Sequence, residues 1–126
     1  MKELTKAEEQ IMQVLWELQK GYLKDILEQL PEPKPAYTTV STVVKVLVKK
    51  QFIGYDTHGK SNEYYPLVKK EDYFQTHFKG MVQRFFNSSV KRFASFFSAD
   101  QEMDLKDLEE IKAIIDAEIE KRKNDE

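Results

Sequence analysis

The side chains best suited to specific chemistry form a run of hydroxyls and lysines near the middle of the chain. Thr38, Ser41, Thr42, Lys45 and Lys49 recur at three- and four-residue spacing, which puts them on one face if the segment is helical. Short hydroxyl side chains let a backbone approach base edges closely, and lysine ammonium groups pair with phosphates. The set therefore fits a helix that enters a DNA groove. It also fits an ordinary amphipathic helix with a solvated face.

The element that carries these residues has to be a helix for this interpretation to hold. Its many β-branched residues are typical of a strand. However, strand alternation would leave neither face cleanly apolar, whereas helical spacing gives one apolar stripe. The sequence therefore predicts a helix over residues 38–50, with Thr39 and Val46 on its flanks. The stripe consists of Val40, Val43, Val44, Leu47 and Val48.

No arrangement of residues indicates catalysis or a bound cofactor. His58 and His77 are the only histidines, and they do not form a metal-ligand pair at i, i+4 spacing. Ser88 and Ser89 lie inside a predicted helix without the glycines of a nucleophile elbow. The four glycines form no phosphate-binding loop. We therefore expect a protein that is not an enzyme and that has no metal or other cofactor.

Length and charge suggest one domain, or a small domain with a helical appendage, in 126 residues. The net charge is only −2, but the segment 34–60 has five lysines against one aspartate, a net +4. The segment 100–126 has eleven carboxylates against five cations, a net −6. Cysteine is absent, no apolar run is long enough to span a bilayer, and the first residues lack a signal peptide's apolar core. These features lead us to expect a cytoplasmic protein.

Two further helices are predicted before the hydroxyl-rich one. The first begins at Thr5, three residues before Glu8 in capping-box spacing, and ends at Gly21. The second runs from Leu23 to Leu30, before a proline-rich stretch that ends it. Three helices in this order are typical of a helix-turn-helix unit. The buried stripe of the first helix is predicted as Ala7, Ile11, Val14, Leu15 and Leu18, with Trp16 as a packing anchor beside Met12.

A β-hairpin is predicted after the third helix, with strands at 52–57 and 62–67 and a tight turn over 58–61 that contains Gly59. Three helices followed by a hairpin give the winged-helix arrangement. The hairpin tip carries polar or cationic residues suited to a backbone or minor-groove contact, although a solvent-exposed turn has the same composition. They are His58, Lys60, Ser61 and Asn62. Winged helices also dock proteins, so the fold alone does not decide function.

The remaining chain is rich in phenylalanine, with seven of the eight phenylalanines beyond residue 70. The pattern predicts one long helix from about Asp72 to about Phe97, with Gly80 as a weak point. A final helix follows a cap at Asp104. Two helices cannot bury this much apolar surface alone, so they either fold back on the first domain or interleave with a second chain.

We favour the second chain, because a two-fold dimer also supplies the paired half-sites on which small DNA-binding proteins rely. The predicted dimer interface consists of Phe78, Phe85, Phe86, Phe93, Leu108, Ile111, Ile115 and Ile119.

The sequence resembles the penicillinase-repressor family of bacterial transcriptional repressors, often called BlaI/MecI/CopY. The resemblance is carried by Leu4–Met12 with Val14-Leu15-Trp16, by Tyr37–Thr42, by Leu47–Lys50 and by Tyr64-Tyr65. It implies a dimer formed through the C-terminal helices and binding to inverted repeats in double-stranded DNA. It also implies release when a membrane sensor protease triggers cleavage. The expected DNA-binding residues are Tyr37, Thr38, Thr39, Ser41, Thr42, Lys45, Lys49, His58, Lys60, Ser61 and Asn62.

Some positions depart from the family pattern. Gln51 stands where the family usually has glycine, so a different geometry is expected at the end of the third helix. Val46 replaces a common arginine, which removes one candidate phosphate contact. The copper-responsive branch of the family uses a cysteine cluster near the C-terminus, and that route is excluded here because the chain has no cysteine. No equivalent of the family's cleavage site is obvious by residue identity.

Together these features predict a mostly α protein with a small β-hairpin. A winged helix-turn-helix domain at 1–70 would bind DNA, and a two-helix region at 71–126 would form the dimer. The expected function is a dimeric repressor of transcription that binds an inverted-repeat operator and is released by an antibiotic-type signal through proteolysis. The alternative is a winged-helix interaction module that docks a partner protein without contacting DNA.

Overall fold

The computed structural model describes residues 2–125, and within them the chain is mostly helical with one antiparallel hairpin, as predicted. The elements are α1 (Lys6–Leu18), α2 (Leu23–Gln29), α3 (Tyr37–Lys49), β1 (Ile53–His58), β2 (Ser61–Pro66), α4 (Lys70–Phe86), α5 (Val90–Ser98) and α6 (Leu105–Asn124). None of these helices is both long enough and apolar enough to cross a membrane. The chain divides into two compact units at Phe78, inside α4. The assignment of 1–70 to DNA binding and 71–126 to dimerisation stays a prediction.

The core of the first unit lies where α1, α2, α3 and the hairpin meet. The predicted stripe of α3 is confirmed, since Val40, Val44 and Leu47 are buried and Val43 and Val48 are partly buried. Tertiary burial therefore outweighs the low helix propensity of valine in this segment. The side chains buried most completely are Met12, Leu15, Ile26, Val40, Val44, Leu47 and Ile53.

Helix α1 begins as predicted but ends earlier. The Thr5 hydroxyl accepts a hydrogen bond from the Glu8 N–H at 3.2 Å, and the Glu8 carboxylate accepts one from the Thr5 N–H at 2.9 Å. The prediction that Gly21 ends the helix is wrong, because α1 stops at Leu18 and Gln19 takes the left-handed conformation with φ 67°. Ala7 is exposed and not part of the buried stripe.

The end of α3 has the geometry that a glycine would normally provide. Gln51 has φ 66°, the Phe52 N–H donates to the Leu47 carbonyl at 2.9 Å, and the Gln51 N–H donates to the Val48 carbonyl at 3.0 Å. These two bonds form a Schellman motif. The expectation that Gln51 imposes a different helix end is therefore wrong. The left-handed turn is kept, with glutamine in a strained backbone region.

The hairpin turn is tighter than predicted. His58 pairs with Ser61 as the last residues of the two strands, which leaves Gly59 and Lys60 as the loop. Gly59 has φ 64°, a conformation that glycine adopts without steric cost. Gly54, near the start of β1, lies against the ring of Tyr65 on β2. A Cβ atom at this position would lie only 2.7 Å from the ring.

The single long helix predicted for residues 72–97 is wrong, because the structure has two helices there. α4 continues through Gly80 to Phe86, and Asn87 and Ser88 then take positive φ values of 51° and 64°. The Ser89 hydroxyl accepts a hydrogen bond from the Arg92 N–H and caps α5. The serine pair thus forms the break between two helices. Aromatic periodicity hid this break, because phenylalanines continue on both sides of it.

The second unit has little buried surface. The ring of Phe86 lies 5.7 Å from that of Phe93 and 5.8 Å from that of Phe96, measured between centroids. Asp104 caps α6, as predicted, by accepting a hydrogen bond from the Asp107 N–H at 2.8 Å. No residue of α5 or α6 is buried within the described chain.

One ion pair joins the start of α1 to the end of α3. Glu8 is the one buried charged residue within 2–125, and its carboxylate lies 2.8 Å from the Lys50 ammonium. Burial alone would raise the pKa of Glu8, but hydrogen bonds from Lys50 and Thr5 outweigh it, so the pKa is lowered. A carboxyl group with a lowered pKa stabilises the fold above its unfolded pKa, and this stabilisation is lost as the pH falls through the folded pKa.

Replacing Gln51 with glycine should stabilise the protein. The left-handed conformation costs a residue with a side chain roughly 1 kcal/mol, and glycine avoids this cost at the expense of some chain entropy. We expect Gln51→Gly to raise the free energy of unfolding by about 0.5 kcal/mol or more in urea titrations. Gln10→Gly, also at an exposed glutamine but in the interior of α1, should be destabilising. A loss of stability in Gln51→Gly would contradict the strain argument.

Replacing Glu8 with glutamine should give a pH-dependent loss of stability. Glutamine can retain the capping hydrogen bonds but not the ion pair, so Glu8→Gln should cost roughly 1–3 kcal/mol at neutral pH. The difference from wild type should shrink as the pH falls below about 4.5, the ordinary pKa of the carboxyl group, because the unfolded chain then binds a proton at Glu8 more readily than the folded protein does. Urea unfolding across this range measures it. A difference that is independent of pH would show that the charge of Glu8 does not contribute.

Candidate nucleic-acid interface

Helix α3 turns its hydroxyls and lysines away from the core. Because its valine and leucine stripe is buried, the opposite face is accessible to solvent. Ser41 is half-buried, and the other members of this face are exposed. Those exposed residues are Tyr37, Thr38, Thr39, Thr42, Lys45 and Lys49.

The first turn of α3 is open to an anion. The helix follows Ala36 without a side-chain cap, and its first turn has no acidic residue. The N–H groups of Tyr37 and Thr38 have no hydrogen-bond acceptor within residues 2–125, whereas those of Thr39 and Val40 bond to the Ala36 carbonyl. Unpaired N–H groups and the helix dipole favour a negatively charged group at this end.

The wing, which is the hairpin formed by β1 and β2, is held next to α2 by backbone hydrogen bonds. Gly21 and Tyr64 exchange two hydrogen bonds, Gly21 N–H to Tyr64 O at 2.9 Å and Tyr64 N–H to Gly21 O at 2.8 Å. A Cβ atom at Gly21 would approach Leu18 to 3.3 Å, so a side chain there would crowd this junction. The ring of Tyr22 then meets that of His58 edge-on, 6.4 Å between centroids.

A groove of about 490 Å³ lies between the wing, α2 and the exposed face of α3. It brings together seven of the residues predicted from the sequence, three on α3 and four on the wing. Three other predicted residues, Thr38, Thr39 and Thr42, line a shallow depression on α3 together with Val43. Lys49 lines neither the groove nor this depression. The seven in the groove are Tyr37, Ser41, Lys45, His58, Lys60, Ser61 and Asn62.

The charge of the groove is positive. The groove is lined by three lysines, Lys24, Lys45 and Lys60, and by no carboxylate. None of these lysines forms an ion pair within the described residues. The two carboxylates of the wing are engaged elsewhere. Asp56 and Glu63 each lie 3.7 Å from the Lys20 ammonium, and Glu63 also lies 3.4 Å from His58 Nε2. A surface with unpaired ammonium groups, whose nearby carboxylates are already paired, favours the binding of a polyanion.

Two polar side chains already have an internal partner, which limits what they can offer a ligand. The Thr42 hydroxyl donates to the Thr38 carbonyl at 2.9 Å, so it can accept but not donate outward without breaking that bond. The Asn62 side-chain oxygen accepts a hydrogen bond from the Thr57 hydroxyl at 2.8 Å, which leaves its amide N–H groups for an acceptor. Donors of this kind match phosphate oxygens or base edges.

Sequence reasoning missed the contribution of α2. Tyr22, Leu23 and Lys24 line the groove, but none of them was among the residues predicted to bind DNA. The pairing of Gly21 with Tyr64 brings them there, and a contact across more than forty residues leaves no periodic signal in either segment. No cluster of three or more potential metal ligands occurs in the part of the chain that the structure describes.

Comparisons with known proteins identify relatives of this chain by sequence. A family profile described as penicillinase repressor matches residues 4–117. The methicillin resistance regulatory protein MecI of Staphylococcus aureus (strain N315) is 23% identical over 114 residues, which cover 90% of this chain and 93% of MecI. MecI of Mammaliicoccus sciuri is 22% identical over the same shares.

Two solved structures share the fold. The solution structure of the DNA binding domain of the repressor BlaI has a TM-score of 0.50 and 23% identity, over 58% of this chain and 94% of that domain. The structure of h. salinarum RosR has a TM-score of 0.51 and 20% identity, over 94% of this chain and 96% of RosR. Because the family profile covers nearly the whole chain, the protein belongs to the penicillinase repressor family of transcriptional repressors, and its first unit is a winged-helix domain.

Proposed function

We propose that this protein is a homodimeric, non-enzymatic repressor in the cytoplasm that binds an inverted-repeat operator through α3 and the wing. The observation that carries the proposal is the groove in which residues of α3 and the wing meet three unpaired lysines and no carboxylate. The relatives named MecI and BlaI are regulators, which supports the same function here. The wing and the first turn of α3 would hold phosphates on either side of a major groove.

Specificity would come from the hydroxyl face of α3. Thr38, Thr39 and Ser41 lie in the first turn or just after it, the part of a recognition helix that contacts base edges. Lys45 and Lys49 lie one and two turns farther on, where phosphates would be closer than bases. The proposal therefore separates residues that choose the sequence from residues that hold any DNA.

Dimer formation is proposed from the apolar surface of the second unit. Phe85 is 73% exposed, Ile115 52% and Ile119 44%, although phenylalanine and isoleucine are among the residues most often buried. The remaining members of the proposed interface are half-buried. They are Phe86, Phe93, Leu108 and Ile111 of the second unit, and Phe78, the last residue of the first unit. A surface of this kind is expected to be covered by a partner, and a second copy would also supply the second half-site.

Release by proteolysis is proposed for the range from about Phe93 to Met103, which covers the second half of α5 and most of the connection to α6. Residues 99–104 lie outside both helices, and such connections open locally at low cost. A cut there would separate α6 from the rest of the chain, after a signal such as an antibiotic relayed by a membrane sensor protease. Mass spectrometry of repressor recovered from induced cells should detect a fragment that ends in this range. Intact repressor throughout induction would contradict this part of the proposal.

The alternative function is a winged-helix module that docks a protein partner. Salt separates the two, because DNA binding releases counterions. The affinity for operator DNA should fall by roughly 0.9 log units per log unit of salt for each phosphate contact. A groove with three free lysines and an open helix end favours a steep slope. A flat salt dependence would favour the protein-docking alternative.

Alanine substitutions on α3 should separate specific from general DNA binding. Thr38→Ala or Thr39→Ala should each cost on the order of 1–3 kcal/mol of discrimination between operator and random DNA, and Thr42→Ala should act in the same direction. Lys45→Ala should weaken both kinds of DNA alike and reduce the salt slope by about one phosphate contact.

Fluorescence anisotropy with operator and scrambled duplexes at several salt concentrations measures these effects. Thr76→Ala is the matched control, because Thr76 is an exposed threonine on α4 outside the groove. A folded Thr38/Thr39/Thr42 triple alanine variant with normal operator affinity would refute the proposed role of α3.

A charge in the apolar surface of α6 should disrupt the dimer. Ile115→Asp would place an unpaired carboxylate in the proposed interface, which is strongly unfavourable. We expect sedimentation to give monomers and operator affinity to fall with them. Ala113→Asp is the control, because Ala113 lies on the opposite side of α6 and is exposed. A wild-type protein that sediments as a stable monomer would refute dimer formation.

A further inference from the structure

A second cleft, of about 430 Å³, lies between α1 and the first turns of α4, and its chemistry differs from that of the groove. All of its lining residues belong to the first unit. Its aromatic lining consists of Trp16, Tyr73, Phe74 and the imidazole of His77. The volume lies within the range of small-molecule sites, and aromatic rings are the usual lining of such sites.

The aromatic residues of the α1–α4 cleft are held in place from behind. The Trp16 indole N–H donates to the Val68 carbonyl at 2.8 Å, and the Tyr73 hydroxyl accepts a hydrogen bond from the Leu4 N–H at 2.8 Å. The Trp16 and Tyr73 rings also contact each other, with 5.9 Å between centroids. Because these rings are already ordered, a ligand would not have to immobilise them, which favours binding.

Carboxylates surround the rings. Glu3, Glu9 and Glu71 line the cleft, and none of them forms an ion pair within residues 2–125. Lys70 is the one cationic side chain in the lining, so carboxylates outnumber it by three to one. Burial raises the pKa of Tyr73, and the negative charges of Glu9 and Glu3 raise it further, against the effect of the Leu4 N–H.

One polar atom of the cleft lacks a partner. His77 Nε2 is buried and has no hydrogen-bond partner among residues 2–125, although the ring packs 4.2 Å from that of Tyr73. A buried ring nitrogen without a partner is costly and is normally satisfied by water, an ion or a ligand. A ligand with an N–H group could donate to it when the nitrogen is unprotonated.

We propose that the α1–α4 cleft binds a small organic cation, a protonated amine attached to an apolar body. The ammonium group would interact with the aromatic faces and with the unpaired carboxylates. Its N–H groups would reach His77 Nε2, and the apolar body would cover Phe74, which is 68% exposed. An anion would meet an excess of carboxylates, and a neutral apolar molecule would leave His77 and the carboxylates unused.

Trp16 is the only tryptophan in the chain, so its fluorescence reports binding directly. The full-length protein should be titrated with phenylethylammonium, 2-phenylethanol and phenylacetate, which carry similar bodies and differ in charge. We expect saturable binding of the cation, at least about tenfold tighter than that of the alcohol, and none of phenylacetate. Equal responses to the three compounds, or no saturable response to the cation, would overturn the proposal.

Two variants test the residues separately. Glu9→Gln combined with Glu71→Gln should weaken phenylethylammonium by about tenfold and leave 2-phenylethanol unchanged. The control Glu17→Gln, on α1 but outside the cleft, should change the affinity for neither compound.

Phe74→Ala removes an exposed ring without emptying the core, and it should weaken the binding of both the cation and the alcohol. Thermal melts establish that each variant is folded. Wild-type affinity in either cleft variant would overturn the proposal, and Phe74→Ala decides if the double variant does not fold.

Discussion

The burial of one stripe of α3 is the constraint on which the rest of the first unit depends. Val40, Val44 and Leu47 are spaced so that they can reach the core together only from a helix, and they are almost completely inaccessible to solvent. Rotating α3 to expose another face would expose these side chains, at about 1.5–3 kcal/mol each. The hydroxyl and lysine face therefore points outward as a direct consequence of core packing. Its orientation needs no interaction of its own.

The C-terminal end of α3 and the position of the wing follow from a few backbone hydrogen bonds. The Schellman turn at Gln51 redirects the chain into β1, whose Ile53 is fully buried beneath α3. The hydrogen bonds between Gly21 and Tyr64 then hold β2 against the segment that leads into α2. As a result, α2, α3 and the wing enclose one groove, and a shift of any of the three would open it. The Glu8–Lys50 pair adds a charged contact between the start of α1 and the end of α3.

The sequence predicted most of this unit because its signals are local. Apolar spacing located α1, α2 and α3, the capping box located the start of α1, and a glycine located the hairpin turn. The predictions that were wrong also concern local features of the backbone. Gln19 and Gln51 take left-handed conformations that glycine usually adopts, so composition suggested Gly21 in one case and a different geometry in the other. The break at Asn87 was hidden because periodicity reports burial and does not register a local change of backbone direction.

Long-range pairing accounts for what the sequence could not reveal about the groove. Lys24 resembles any exposed lysine on a short helix, and the long-range Gly21–Tyr64 bridge helps to bring it into the same groove as Lys60. The same holds for the α1–α4 cleft. Trp16 was predicted as a packing anchor, which its burial and its hydrogen bond to Val68 bear out. Its position beside Tyr73 and His77 depends on the start of α4, more than fifty residues farther along the chain.

Helix α6 raises a different physical question, because local interactions do not account for its stability. Its 20 residues carry i, i+4 ion pairs between Lys112 and Asp116 and between Glu118 and Arg122, all of them exposed. Such pairs contribute about 0.3–0.5 kcal/mol each, and an isolated helix of this length is only marginally stable in water. The isoleucines of this helix are not buried within the described chain. A helix with a few exposed ion pairs and uncovered isoleucines gains most of its stability when an apolar surface covers the isoleucines, which is the requirement that a second copy would meet.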